Sequence, residues 1–81
     1  MAISIQFFGT HRNITRTDTV HMPFREKARV TDVLEYVRQL YPALHLDKRM
    51  ILATVNQNVV SLDTELREND TVIFLPHIGG G

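Results

Sequence analysis

The stretch Val30-Thr31-Asp32-Val33-Leu34-Glu35-Tyr36-Val37-Arg38-Gln39-Leu40-Tyr41 decides the fold. Val33, Leu34, Val37, Leu40 and Tyr41 recur at helical spacing along one stripe,. Asp32, Glu35, Arg38 and Gln39 fall on the remaining surface. Thr31 reads as the N-cap, Asp32 places negative charge at the positive end of the helix dipole, and Pro42 stops the run,. Glu35 and Arg38, three apart, form a weak pair,. A helix of about ten residues does not persist alone in water, so its stripe requires a sheet to cover.

The sequence supplies that sheet on both sides. Before the helix, Ile3, Ile5 and Phe7 alternate with Ser4, Gln6 and Phe8, the period of a strand, and only Phe8 breaks the polar face,. Gly9 and Thr10 end it. Asn13 and Asp18 indicate turns in a short polar segment, and residues 17–22 suit a second strand paired with the first as a hairpin, limited by Pro23,. After the helix, residues 50–55 are strongly apolar, Asn56-Gln57-Asn58 reads as a tight turn, and Val59 and Val60 begin a short return strand,. Residues 61–67 form a connector with Leu62 and Leu66 as inward anchors. Asn69-Asp70 turns into a last strand over residues 71–75, limited by Pro76. The order strand, strand, helix, strand, strand, strand predicts an α+β fold, a mixed sheet packed on one main helix. A β-grasp roll fits. The pattern alone also admits other small α+β folds and leaves the strand order open.

Composition narrows the function. Eighty-one residues make one compact domain, and 43% apolar with 22% charged residues is a folding composition,. Nine basic and nine acidic side chains cancel, and the densest basic stretch, residues 25–29, is interrupted by Glu26 and Ala28. This argues against nucleic acid as a partner. No run approaches the roughly 20 apolar residues of a membrane helix. No signal peptide is visible, so a cytoplasmic location is expected. The absence of cysteine excludes disulfides, a thiolate nucleophile and a cysteine-ligated metal,. His11, His21, His45 and His77 are scattered without close ligand spacing, and Asp63, Glu65, Glu68 and Asp70 lack an EF-hand register,. No bound metal or cofactor is expected, and no self-contained active site.

The end of the sequence, Pro76-His77-Ile78-Gly79-Gly80-Gly81, needs a separate account. Three glycines contribute nothing to a core and are costly to order. Without Cβ atoms, however, a backbone can enter a narrow channel and pair with its walls. From Pro76 the last five residues reach roughly 16 Å when stretched. Residues 1–76 are therefore read as the domain and residues 77–81 as a flexible tail.

Residues 51–61, then Leu66, Asn69 to Pro76 and the terminal Gly80-Gly81 resemble the small subunits of molybdopterin synthase, and more broadly the sulfur-carrier family that includes the thiamine sulfur carrier. Residues 5–8 and 30–34 fit as well. The resemblance covers essentially the whole chain. It implies a ubiquitin-like β-grasp fold and a role as the sulfur-donating subunit of a transferase complex. It implies that an ATP- and Mg²⁺-dependent activating adenylyltransferase adenylates Gly81, and that a sulfur donor converts the adenylate to a thiocarboxylate. It implies a molybdopterin synthase large subunit as partner, two copies of each in a heterotetramer, with the sulfur passing to the dithiolene of a pterin. Ile78, Gly79 and Gly80 are expected to enter the partner's tail channel, and Phe7, Phe8, Phe74, Leu75, Pro76 and His77 to form the partner interface: the resemblance supplies Phe7, Phe74 and Pro76, the side-chain alternation of the strands supplies Phe8 and Leu75, and His77 sits at the base of the tail,. His77 departs from the second proline frequent in that branch, and Gly79 adds a third glycine. Carriers for thiamine, cysteine or tRNA thiolation, a ubiquitin-like protein modifier, and a non-catalytic binding module are the alternatives.

Overall fold

The apolar stripe of the central helix is covered as its spacing requires. A computed structural model of the chain describes residues 2–47, 49 and 51–76. In chain order these form β1 (Ala2–Gln6), α1 (Gly9–Thr15), β2 (Thr19–Pro23), α2 (Val30–Leu40), β3 (Ile51–Val55), β4 (Asn58–Val60) and β5 (Thr71–Pro76). The strands make one mixed sheet in the order β2-β1-β5-β3-β4. β1 runs parallel to β5, and the β1–β2, β3–β4 and β3–β5 pairs are antiparallel. Helices packed on a mixed sheet in this arrangement form a ubiquitin-like β-grasp fold.

Val30, Val33, Leu34 and Val37 of α2 are fully buried against Ile3 and Ile5 of β1 and Val72 of β5, with Phe7, Ala53 and Phe74 completing the same core. The helix begins one residue before Thr31, with Arg29 at the N-cap. Thr31 instead donates its hydroxyl and its N–H to the Leu62 carbonyl, at 2.8 and 3.0 Å. Val30 N–H reaches the Thr64 carbonyl at 3.0 Å, and the Asp32 carboxylate accepts the Arg29 N–H at 2.8 Å. The unpaired donors of the first helical turn are thus satisfied largely by the connector that follows β4. That tertiary solution displaces the local cap. At the other end Leu40 stays 47% exposed although the spacing put it on the stripe. The fully buried positions of α2 end at Val37, so its last turn is left largely uncovered,.

The segment after β1, expected to be turns, is helix α1. Gly9 starts it at φ +55°, Arg16 closes it at φ 60°, and the Arg16 N–H bonds the Arg12 carbonyl at 2.8 Å. Its only buried residue is Thr15, so no apolar period announced it,. β2 is shifted to residues 19–23, and Pro23 ends it on an outer strand, where a missing N–H costs no ladder bond,.

The hairpin between β3 and β4 turns through Asn56 and Gln57, both at positive φ (50° and 74°), as a two-residue primed turn requires,. Asn56 also ties this hairpin to β5: its Nδ2 donates to the Asp70 carboxylate at 2.9 Å and its Oδ1 accepts the Thr71 N–H at 3.0 Å. Asp70 in turn accepts the Arg67 N–H at 2.8 Å. Asn56→Ala should cost about 1–3 kcal/mol, read as a lower urea midpoint at unchanged slope. Asn56→Gly, which keeps the backbone geometry and loses only the amide bonds, should fall between wild type and alanine.

Candidate functional site

β5 points the chain at the tail. It lies in the middle of the sheet, with β1 on one side and β3 on the other, and its last residue, Pro76, stands in register with Ile51. His77, Ile78, Gly79, Gly80 and Gly81 follow from there and lie outside the described residues. The site is therefore built from what surrounds the exit of β5.

The alternation of β5 divides its side chains between the two faces of the sheet. Val72 and Phe74 turn into the core, and Thr71, Ile73 and Leu75 turn to the face that α2 does not cover. On that open face Leu75 stands opposite Leu52, and Ile73 opposite Thr54 on one side and Gln6 on the other. Phe8, just past β1, is 52% exposed, and Leu52 is 38% exposed. The exit of β5 thus opens beside an apolar patch of Phe8, Leu52, Ile73 and Leu75.

The structure sorts the interface residues expected from the sequence. Phe8 and Leu75 are available to a partner. Phe7 and Phe74 are not: both are core residues, and the Phe7 ring meets Tyr41 edge-on with centroids 5.8 Å apart. Phe7 follows the inward parity of Ile3 and Ile5, and Phe74 that of Val72, so burial claims both aromatics. Leu52 and Ile73 were missed. Their strands are apolar on both faces and give no polar alternation. The parity was legible, but which face the helix leaves bare was not.

Among the described residues, nothing nearby assembles a conventional catalytic group. Among the described residues, no set of three or more His, Asp or Glu side chains is placed to hold a metal ion. Asp70 is occupied by the Arg67 and Asn56 contacts given above. Arg12 and Asp18, at 3.3 Å, form an exposed ion pair at the margin of the patch. The Arg49 N–H and guanidinium hold the Asp47 carboxyl below the ordinary aspartate value. Among the described residues no helix is long and apolar enough to cross a membrane. What the arrangement offers is a rigid sheet, an apolar patch and a strand leading to a glycine-rich end.

Comparison with known proteins extends this picture. The model of the ThiS family matches residues 5–81, through the last glycine. The molybdopterin synthase sulfur carrier subunit of Escherichia coli (strain K12) is 34% identical over 85 aligned positions, covering 98% of this chain and 99% of that protein. Among solved structures, SAMP1 of Haloferax volcanii superposes with a TM-score of 0.83 at 20% identity, with both chains fully covered. The complex of subunits 1 and 2 of the molybdopterin-converting factor from Helicobacter pylori includes a chain similar at a TM-score of 0.64 and 20% identity, with both chains fully covered. At these identities the two structures speak for the fold alone.

Proposed function

The chain belongs to the ThiS family of sulfur-carrier proteins, and from that premise we propose that it is the sulfur-donating small subunit of a molybdopterin synthase. The observation that carries the reading is the 34% identity to a molybdopterin synthase sulfur carrier subunit, spread over nearly the full length of both chains. The family match through residue 81 supports Gly81 as the reactive end.

The chemistry follows from what a carboxylate lacks. Its negative charge repels nucleophiles and it has no good leaving group. In the proposed cycle the Gly81 carboxylate attacks the α-phosphorus of ATP on an activating enzyme, and pyrophosphate leaves. A sulfide-equivalent nucleophile then adds to the acyl carbon of the mixed anhydride, and AMP leaves. The resulting thiocarboxylate is a sulfur nucleophile. The activating enzyme supplies Mg²⁺ and charge stabilisation, and the carrier supplies an unhindered end and the surface that aims it. Ile78, Gly79 and Gly80 thread the channel of the partner. Phe8 and Leu75, with Pro76 and His77 at the tail base, contact its rim. The partner is a molybdopterin synthase large subunit, in a heterotetramer with two copies of each chain. The two-subunit complex from H. pylori supports such a pairing by analogy.

Incubation of the purified chain with an activating enzyme, ATP, Mg²⁺ and sulfide should raise its intact mass by the difference between sulfur and oxygen. The loaded chain, mixed with a molybdopterin synthase large subunit and the cyclic pterin precursor, should then return to its original mass as the dithiolene forms. A loaded chain consumed by a thiazole synthase and not by this subunit moves the protein to another branch of sulfur transfer. Accumulation of the chain on lysines of other proteins moves it to protein modification.

A further inference from the structure

β2 is an outer strand, so one of its two edges carries no ladder,. The register shows which backbone groups line that edge. The Ser4 N–H bonds the Asp70 carbonyl at 2.9 Å, on the β5 side, so Ser4 turns its backbone away from β2,. Its partner across the ladder, His21, therefore directs its own N–H and carbonyl outward, and Thr19, two residues before, does the same,. The Thr19 carbonyl is taken by the Thr17 hydroxyl at 3.2 Å, and Pro23 has no N–H to offer,. The His21 carbonyl meets the Tyr36 hydroxyl at 3.5 Å, longer than a well-formed bond between oxygens,. The pairing capacity of this edge is thus concentrated at His21.

Beside the edge, a groove of about 640 Å³ separates the end of β2 from α2. Asp32, Glu35, Tyr36 and Gln39 follow one another at helical spacing along its α2 wall, a second stripe distinct from the buried one,. Met22 and Phe24, two apart in the chain, line the groove from the β2 side and make an apolar floor with the Tyr36 ring. Two carboxylates, Asp32 and Glu35, stand in the lining against one guanidinium, Arg25. Asp32 engages the Arg29 N–H through Oδ2 at 2.8 Å, and Glu35 engages Arg38 through Oε1 at 3.0 Å, which leaves each a second oxygen.

We propose that this groove binds an extended apolar segment of another protein that carries a lysine or arginine, and that the segment joins the sheet at the free edge of β2. Its backbone pairs with the N–H and carbonyl of His21 and displaces the long Tyr36 contact,. Alternate side chains of an added strand fall on the α2 side, about 7 Å apart. One of them, apolar, rests on Met22, Phe24 and Tyr36, and the next brings its cation to the unengaged oxygens of Asp32 and Glu35. An acidic segment would meet like charge there, so the carboxylates select the sign of the partner. The site does not depend on the carrier reading. Pro23 is in register with Ala2 at the start of β1, whereas β5, parallel to β1, leaves the sheet at the opposite end. A segment in this groove and a partner at the exit of β5 can therefore be held together.

The test is a titration of the isotope-labelled full chain, followed by two-dimensional NMR at ~0.05 M salt, with a short capped peptide of alternating valine and threonine that carries one lysine on its valine face. Amide shifts are expected at residues 19–25 and 32–39, with a Kd below about 1 mM. Glutamate in place of the peptide's lysine should weaken binding by about fivefold or more, and Glu35→Gln should weaken the lysine peptide by about two- to fivefold. Glu35 is exposed, so this variant keeps the fold, and its sulfur loading at Gly81, read by intact mass, should match that of the parent chain,. Methylation of the peptide nitrogens on the edge that faces β2 should abolish binding, because the His21 carbonyl then has no donor to accept from. Equal affinity for the lysine and glutamate peptides, retained binding after methylation, unchanged affinity in Glu35→Gln, shifts centred on Leu52 and Leu75, or no saturable shift at all would each overturn the proposal.

Discussion

Deletion of Gly81 is expected to lower sulfur loading by about a hundredfold or more while leaving the thermal unfolding transition unchanged. The shortened chain still ends in Gly79-Gly80, so the end group remains an unhindered glycine carboxylate. What changes is reach. One residue withdraws the carboxylate by about 3.5 Å, and a displacement of about 1 Å in an aligned active site already costs about a hundredfold. Among the described residues the last registered pair is Pro76 with Ile51 and the last core member is Phe74, both upstream of Gly81. Intact-mass spectrometry after incubation with activating enzyme, ATP and sulfide gives the loading, and circular dichroism gives the transition. Undiminished loading of the shortened chain would falsify the assignment of Gly81.

Leu34→Ala should produce the largest loss of stability. Leu34 is fully buried where α2 meets the sheet, among Val30, Val33 and Val37. Truncating a core leucine costs about 2–5 kcal/mol through lost transfer free energy and the cavity left behind. A domain of 81 residues has only about 4–12 kcal/mol in total,. A fall in Tm of at least about 10 °C is expected, and in the unfavourable case the chain is substantially unfolded at 37 °C. Leu40→Ala, on the same helix at an exposed position, should change Tm by no more than a few degrees,. Equal losses at the two positions would mean that α2 does not bury the face described above.

Much of this fold was legible because its physics is local. The stripe of α2, the alternation of β1 and the turn-forming asparagines at 56 and 69 are each decided within a few residues. Asn69 takes φ 68°, as a turn asparagine can,. α1 was illegible because a short helix with one buried threonine carries no apolar period. The cap of α2 was misplaced because its donors are satisfied from residues 62 and 64, about thirty positions away. Strand order was out of reach for the same reason, since β1 and β5 pair from opposite ends of the chain. At the candidate site, Phe8 announced itself by breaking a polar alternation, whereas Leu52 and Ile73 sit in strands apolar on both sides. Gly81 drew attention by composition, and its chemistry came from family resemblance rather than from its surroundings.

The central position of β5 has a mechanical consequence. A partner that draws on residues 77–81 loads a strand bonded along both edges, to β1 in parallel and to β3 in antiparallel register. Tension along that strand shears two ladders together, whereas the same pull on an outer strand such as β4 would meet only one. The domain can therefore act as a stiff handle, withstanding repeated insertion and withdrawal of its end without unravelling.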